Sequence, residues 1–224
     1  MVQSVFSIDC VIFGFDGESI RVLLIERAEE PFIHDLAIPG DLVQPNEDLE
    51  PAAYSVLRSL TGLKNIYMEQ LYTFGKVNRH PLGRIITVAY YALVHIDSIT
   101  PKPSSFAKRI DWYPLNDLPP NLAFDHEEIL NKAIERLRRK VQIQPIGFEL
   151  LPSKFTLSQL RKLYEAILDV EMDKRNFRRK ILKTNLIQPT DEKQKNVAHK
   201  AARYYTFDKE KYTELSARGY RFEI

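Results

Sequence analysis

Between Lys174 and Lys183 the chain carries Lys174, Arg175, Arg178, Arg179, Lys180 and Lys183, and no acidic residue. Laid out as a helix at about 100° per residue, Phe177, Ile181 and Leu182 fall on one side. Arg175, Asn176, Arg179, Lys180 and Lys183 fall on the other. Arg and Asn can make paired hydrogen bonds to guanine and adenine edges in a major groove. Lys174 at the helix start, with Lys193, Lys195 and Lys200 further along, suits phosphate contacts. Arg178 points toward the apolar side, where its stem is expected to pack and its charge to find an acid. A solvated helix laced with ion pairs is the alternative, but such a face mixes signs and this one does not. Double-stranded DNA is the expected partner of this segment.

The charge of the whole chain is divided in the same sense. Residues 151–224 hold 17 of the 32 Lys and Arg but only 10 of the 30 Asp and Glu, so the rest of the chain is acidic. Only one of two modules is then built to meet a polyanion. The single cysteine, Cys10, lies in an apolar run with Val11, Ile12 and Phe13 and reads as a buried core thiol in a reducing compartment. No apolar stretch reaches the roughly 18 residues that a membrane span needs. The first residues, Met1-Val2-Gln3-Ser4-Val5, lack the basic region of a signal peptide. A cytoplasmic protein without a membrane contact is expected.

These residues need elements to hold them. Residues 8–14 and 20–26, rich in Val, Ile and Phe, read as strands joined by the turn Asp16-Gly17-Glu18-Ser19. Further strands are predicted at 71–76 and 85–94. A helix is predicted over 48–60 from the spacing of Leu49, Ala52, Ala53, Val56, Leu57 and Leu60, and another from about Asp125 to Arg139. That order gives an α/β layered domain over 1–145, ending where Gln144-Pro145-Ile146-Gly147 stops the helix. Over 146–224, Thr156 with Gln159 forms a capping box ahead of one helix, and Asp173 caps the next. Strands at 187–188 and 203–207 flank a loop with Lys193, Lys195, His199 and Lys200. Two short helices followed by a basic hairpin form a winged helix-turn-helix.

The segment Pro39-Gly40-Asp41-Leu42-Val43-Gln44-Pro45-Asn46-Glu47-Asp48-Leu49-Glu50-Pro51-Ala52-Ala53, with Leu57 and Thr61-Gly62-Leu63, resembles the Nudix box. In Nudix hydrolases a helix of this box presents glutamates to Mg²⁺, which clamps a diphosphate and activates water. Registered on Glu47 and Gly62, the Arg-Glu pair of the box becomes Ser55 and Val56, and its Glu-Glu pair becomes Ser59 and Leu60. The opening glycine is Asp41. Mg²⁺ takes hard oxygen ligands, usually carboxylates, and these residues supply none. No metal, cofactor or catalysis is therefore expected. A Nudix hydrolase of nucleoside diphosphate derivatives such as ADP-ribose is the alternative reading.

Trp112-Tyr113-Pro114-Leu115 and Leu122-Ala123-Phe124-Asp125-His126 resemble the end of the Nudix domain in a family of Nudix-related transcription regulators. Phe155 to Leu160, Leu163 to Ile167 and Asp173 to Lys180 resemble that family's winged helix. The resemblance implies a Nudix-type α/β/α sandwich with a mixed sheet, followed by a C-terminal winged helix; since a single winged helix contacts few base pairs, a homodimer on the operator is expected. It also implies that the former substrate cleft senses a small effector: ADP-ribose-type nucleotides in the branch governing NAD biosynthesis, arabinose in the branch governing its use. The chain looks nearer to the arabinose branch. Candidate ligand-binding residues are Asp41, Gln44, Glu47, Arg84, Asp125 and His126. For Asp125, capping of its own helix with Glu128 completing the box is the competing role. For His126 that competitor is a solvated place in the first helical turn.

Overall fold

The computed structural model describes residues 5–62, 66–103, 107–195 and 201–224. A long strand, Val5–Phe15 (β1), runs parallel to Ile85–His95 (β6) over its whole length. β1 pairs antiparallel with Ile20–Arg27 (β2) at one end and with the short Gly40–Leu42 (β4) at the other. Leu36–Ala37 (β3) and Ala107–Pro114 (β7) add to β2, and Tyr67–Phe74 (β5) adds to β6. Seven strands thus form one mixed sheet.

Both faces of that sheet are covered, because alternate residues of β1 are apolar on each side. Ile8, Cys10 and Ile12 pack with Ala52, Ala53, Val56, Leu57 and Leu60 of the helix Leu49–Thr61 (α1). Val11, Phe13 and Phe15 are buried on the opposite side. There the helix His126–Ile143 (α2) begins, and Ile129, Leu130 and Ala133 are buried. Burying each such side chain contributes roughly 1.5–3 kcal/mol. α1 ends as the sequence implies: Gly62 is left-handed at φ 72° and its N–H is bonded to the Arg58 carbonyl. Gly40 is required for a different reason. A Cβ there would lie 2.3 Å from Asp9 Oδ1 and 2.5 Å from the Ile8 carbonyl oxygen.

The chain divides into two compact units, Met1–Asp16 with Ile20–Arg136, and Gly17–Ser19 with Leu137–Ile224. The division falls inside α2, earlier than the residue 145/146 boundary read from the sequence. Leu137 and Val141 are buried, and Val141 and Leu163 both crowd Gly147. In the second unit Phe155–Thr156 (β8) leads into Leu157–Leu168 (α3), whose N-cap Thr156 forms the expected capping box with Gln159. Lys174–Lys183 (α4) follows, capped by Asp173. Ile187–Lys193 (β9) and Arg203–Phe207 (β10) join β8 in a three-stranded sheet of order β8-β10-β9, and Lys209–Ala217 (α5) closes the unit. Among the described residues no helix is long and apolar enough to cross a membrane.

Candidate functional site

The first unit holds a cavity of about 380 Å³ at the end of the sheet, in the size range of small-molecule sites. β1 supplies Ser7 and Asp9, β2 supplies Ile25 and Arg27, and the loop after it supplies Glu29, Glu30 and Pro31. Gly40, Asp41 and Leu42 come from β4, and Arg79, His80 and Leu82 from the loop between β5 and β6. Phe124 and His126 complete the wall at the start of α2.

A buried polar network underlies this wall. Arg79 donates from Nε (2.9 Å) and Nη2 (2.7 Å) to the two carboxylate oxygens of Asp125, and its Nη2 lies 3.5 Å from Asp9 Oδ2. His126 is only 4% exposed. Its Nδ1 accepts the Ile38 N–H at 2.9 Å, so the proton of the neutral ring sits on Nε2, facing Asp9 Oδ1 at 3.6 Å. Burial holds the His126 pKa below the ordinary histidine value, while Asp9 and Asp125 pull it back up. Burial, with Arg79 and Arg27 nearby, lowers that of His80 as well. Above the network, Phe124 stacks on His80 with ring centres 4.9 Å apart, and the Arg27 guanidinium lies 4.9 Å from the same ring. The arrangement brings aromatic rings, the Arg27 guanidinium and several carboxylates to one cavity wall.

Of the six ligand candidates from the sequence, Asp41 and His126 line the cavity, and Asp125 stands behind it through Arg79. The solvated first-turn place weighed for His126 is corrected by its burial. Asp125 gives its carboxylate to Arg79, Glu128 pairs with Lys76, and His126 is buried. Gln44, Glu47 and Arg84 are absent from the wall; Arg84 is exposed and donates to the Gly75 carbonyl at 2.6 Å. Asp9, Arg27 and Phe124 lie outside those candidates, since they come from three separate segments that only tertiary folding brings together.

The metal site of the Nudix box does not fit the residues present. Val56 and Leu60 belong to the hydrophobic core at 5% and 1% exposure, and the Ser59 hydroxyl is bonded to the Val56 carbonyl. Cys10 is buried too, and its thiol, pushed up in pKa by burial, faces the Ala53 carbonyl.

In the second unit α4 buries Phe177 and Ile181 and exposes Lys174, Arg175, Asn176, Arg179, Lys180 and Lys183. Phe177 meets Tyr164 of α3 with ring centres 5.8 Å apart. The turn between the helices is held by Glu165, which pairs with Arg161 and accepts the Met172 N–H. Arg179 donates from Nη2 to Asn176 Oδ1 at 2.8 Å, so these two side chains present one joint polar surface. Arg178 departs from the sequence reading in one respect: although it falls between Ile181 and Leu182 on the helix, it is exposed. Lys193 and Lys195 are exposed at the wing, and Lys200 and His199 lie outside the described residues.

A winged helix with a one-sign recognition face, carried on a Nudix-type fold, is the build of a Nudix-related transcription regulator. Two family models match: the NUDIX domain over residues 4–133 and the NrtR DNA-binding winged helix domain over residues 147–207. The chain is 31% identical over 204 residues to an ADPR responsive transcriptional repressor, NtrR, of Acinetobacter baylyi, covering 90% of this chain and 81% of that one. The crystal structure of Shewanella oneidensis NrtR with a 27mer DNA superposes with a TM-score of 0.81 at 27% identity, covering 97% of each chain. The NUDIX domain of that regulator complexed with ADP ribose gives a TM-score of 0.55 at 31% identity, over 61% of this chain and 90% of that one. An ADP-ribose pyrophosphatase of Methanocaldococcus jannaschii is 32% identical over 117 residues, 52% of this chain and 68% of that one. The chain belongs to the NrtR family of Nudix-related, DNA-binding transcriptional regulators.

Proposed function

We propose that this chain is a repressor whose Nudix-type cavity binds an effector of the ADP-ribose type without hydrolysing it, and so changes its hold on DNA. One observation carries the reading: the Nudix cleft is kept as a cavity while the helix that should bring metal has Val56 and Leu60 turned into the core. Arg27 suits a phosphate as a planar fork, and Phe124 with His80 suits a base or a sugar face. The effector named for the Acinetobacter repressor, and that bound to the Shewanella domain, support the choice. Two copies on a pseudo-palindromic operator would place the two α4 helices in successive major grooves, about 10 bp or a multiple apart. A repressor acts where DNA is, which for this chain is the reducing cytoplasm that its lone thiol fits.

One observation favours a second reading. Asp9, Glu29, Glu30 and Asp41 outnumber Arg27 and Arg79 on the wall, and Arg79 is already forked onto Asp125. Such a wall suits a neutral polyhydroxylated sugar, as the likeness to the arabinose branch implies, although none of the relatives described above supports that ligand. The test is a titration of labelled operator, recovered by selection from random duplexes, with ADP-ribose in one arm and L-arabinose in the other. Coupling of about 5–150-fold in operator affinity is expected for the true effector and none for the other. A response to arabinose alone would replace the nucleotide by the sugar; a response to neither would refute effector control at this cavity.

A further inference from the structure

Phe124 adopts φ 57°, a left-handed backbone that a bulky aromatic side chain rarely takes. Its neighbours are anchored on both sides. The Ala123 N–H is bonded to the Leu36 carbonyl at 2.8 Å, and Asp125 is held by both nitrogens of the Arg79 fork. Between these anchors the left-handed turn leaves the Phe124 side chain on the cavity wall, and glycine would take the same backbone at no steric cost. The ring therefore has a use there.

That use is visible in what it touches. Phe32, on the loop between β2 and β3, meets the Phe124 ring edge-on at 4.7 Å and 63°. Arg27 lies over the same ring and donates from Nε to the Pro31 carbonyl at 2.8 Å, tying that loop to the root of its own strand. On the other side His80, from the loop between β5 and β6, stacks on the ring within 16° of parallel. The two loops are separate in sequence, and each supplies part of the cavity wall.

We propose that Phe124 is the positioning residue of the cavity, a ring clamp that fixes the β2–β3 and β5–β6 loops at the spacing the effector requires. The proposal rests on the reading that this cavity binds the effector. A device of this kind explains why left-handed strain is retained beside a binding site, at Phe124 and at its ring partner Phe32, φ 65°.

The test uses Phe124→Gly, which relieves the backbone but removes the ring, Phe124→Leu, which keeps apolar bulk without stacking, and Phe124→Tyr. Hydrogen exchange is followed in full-length protein without ligand. Faster exchange in residues 28–35 and 76–83 is expected for Gly and Leu, with β1 and β6 unchanged and Tyr like the parent. For whichever probe, ADP-ribose or L-arabinose, the parent binds, affinity should fall about tenfold in Gly and Leu, matching one lost aromatic pair at its upper end. Parent-like exchange in both loops of the Leu variant would overturn the clamp, as would binding within about twofold of the parent. If the parent binds neither probe, the effector reading fails, while the exchange of the two loops still decides the role of Phe124. Should Gly fail to fold, the Leu and Tyr variants alone decide it.

Discussion

A histidine in the first turn of a helix usually meets water, and His126 instead accepts a backbone N–H from the opposite edge of the cavity. Its burial lowers the folded-state pKa, so below the ordinary histidine value, about 6.5, the unfolded chain binds the proton more readily. The contribution to stability is complete above that pH and is lost as pH falls through the depressed folded value. His126→Asn keeps an acceptor for Ile38 and removes the titration. Urea unfolding at about pH 7.5 and about pH 5 should show a smaller pH dependence in the variant than in the parent. His80, lowered in the same direction, keeps the slope from vanishing. An identical slope in both proteins would contradict the assignment. On α4, Arg179→Ala should cost about 1–3 kcal/mol of operator binding and relax preference at one position. Lys195→Ala should weaken all duplexes alike and reduce the salt slope by about one unit. A panel of single-base operator variants at several salt concentrations separates the two; unchanged preference in Arg179→Ala would show that another residue reads that base. The basic face was legible because one short helix carries all of it. Arg178, set between Ile181 and Leu182 on the wheel, is nonetheless exposed, because a long side chain carries its charge from the apolar side out to water.

At the scale of elements, α1 carries the claim that the metal site is lost. Val56 and Leu60 are buried among Ile8, Leu23 and Val88, so a carboxylate at either place enters an apolar core without a partner. Val56→Glu and Leu60→Glu should each destabilise the domain by several kcal/mol, in the range of large core defects. Ser59→Glu, on the exposed side, should stay within about 0.5 kcal/mol. Thermal melting checks this, and a Leu60→Glu variant as stable as the parent would mean that the helix can turn its box positions outward. Among the described residues, the central strands and four of the five α-helices were legible because their apolar periodicity is strong. β3 and β4 span only two and three residues, too short for a pattern. β7, with Lys108, Arg109 and Asp111 in its run, is recognised only by pairing with β2. α5 has no buried residue and therefore no stripe to find.

For the whole molecule, family membership settles the class, and the cavity and the basic face of α4 lie in separate units. What spacing could not show is the cavity itself, whose walls come from β1, β2, two loops and the start of α2. The proposed function depends on one relation: ligand occupancy must alter DNA affinity by its differential binding to the DNA-competent and incompetent states. The central claim is that this happens without chemistry, and a single sample can test it. Full-length protein on labelled operator is mixed with ADP-ribose and Mg²⁺ while anisotropy reports DNA binding and chromatography reports the nucleotide. The expected result is a change in operator affinity with the ADP-ribose recovered intact. Release of AMP and ribose phosphate at ordinary enzyme rates, on the order of 10 per second, with operator binding unmoved, would contradict it.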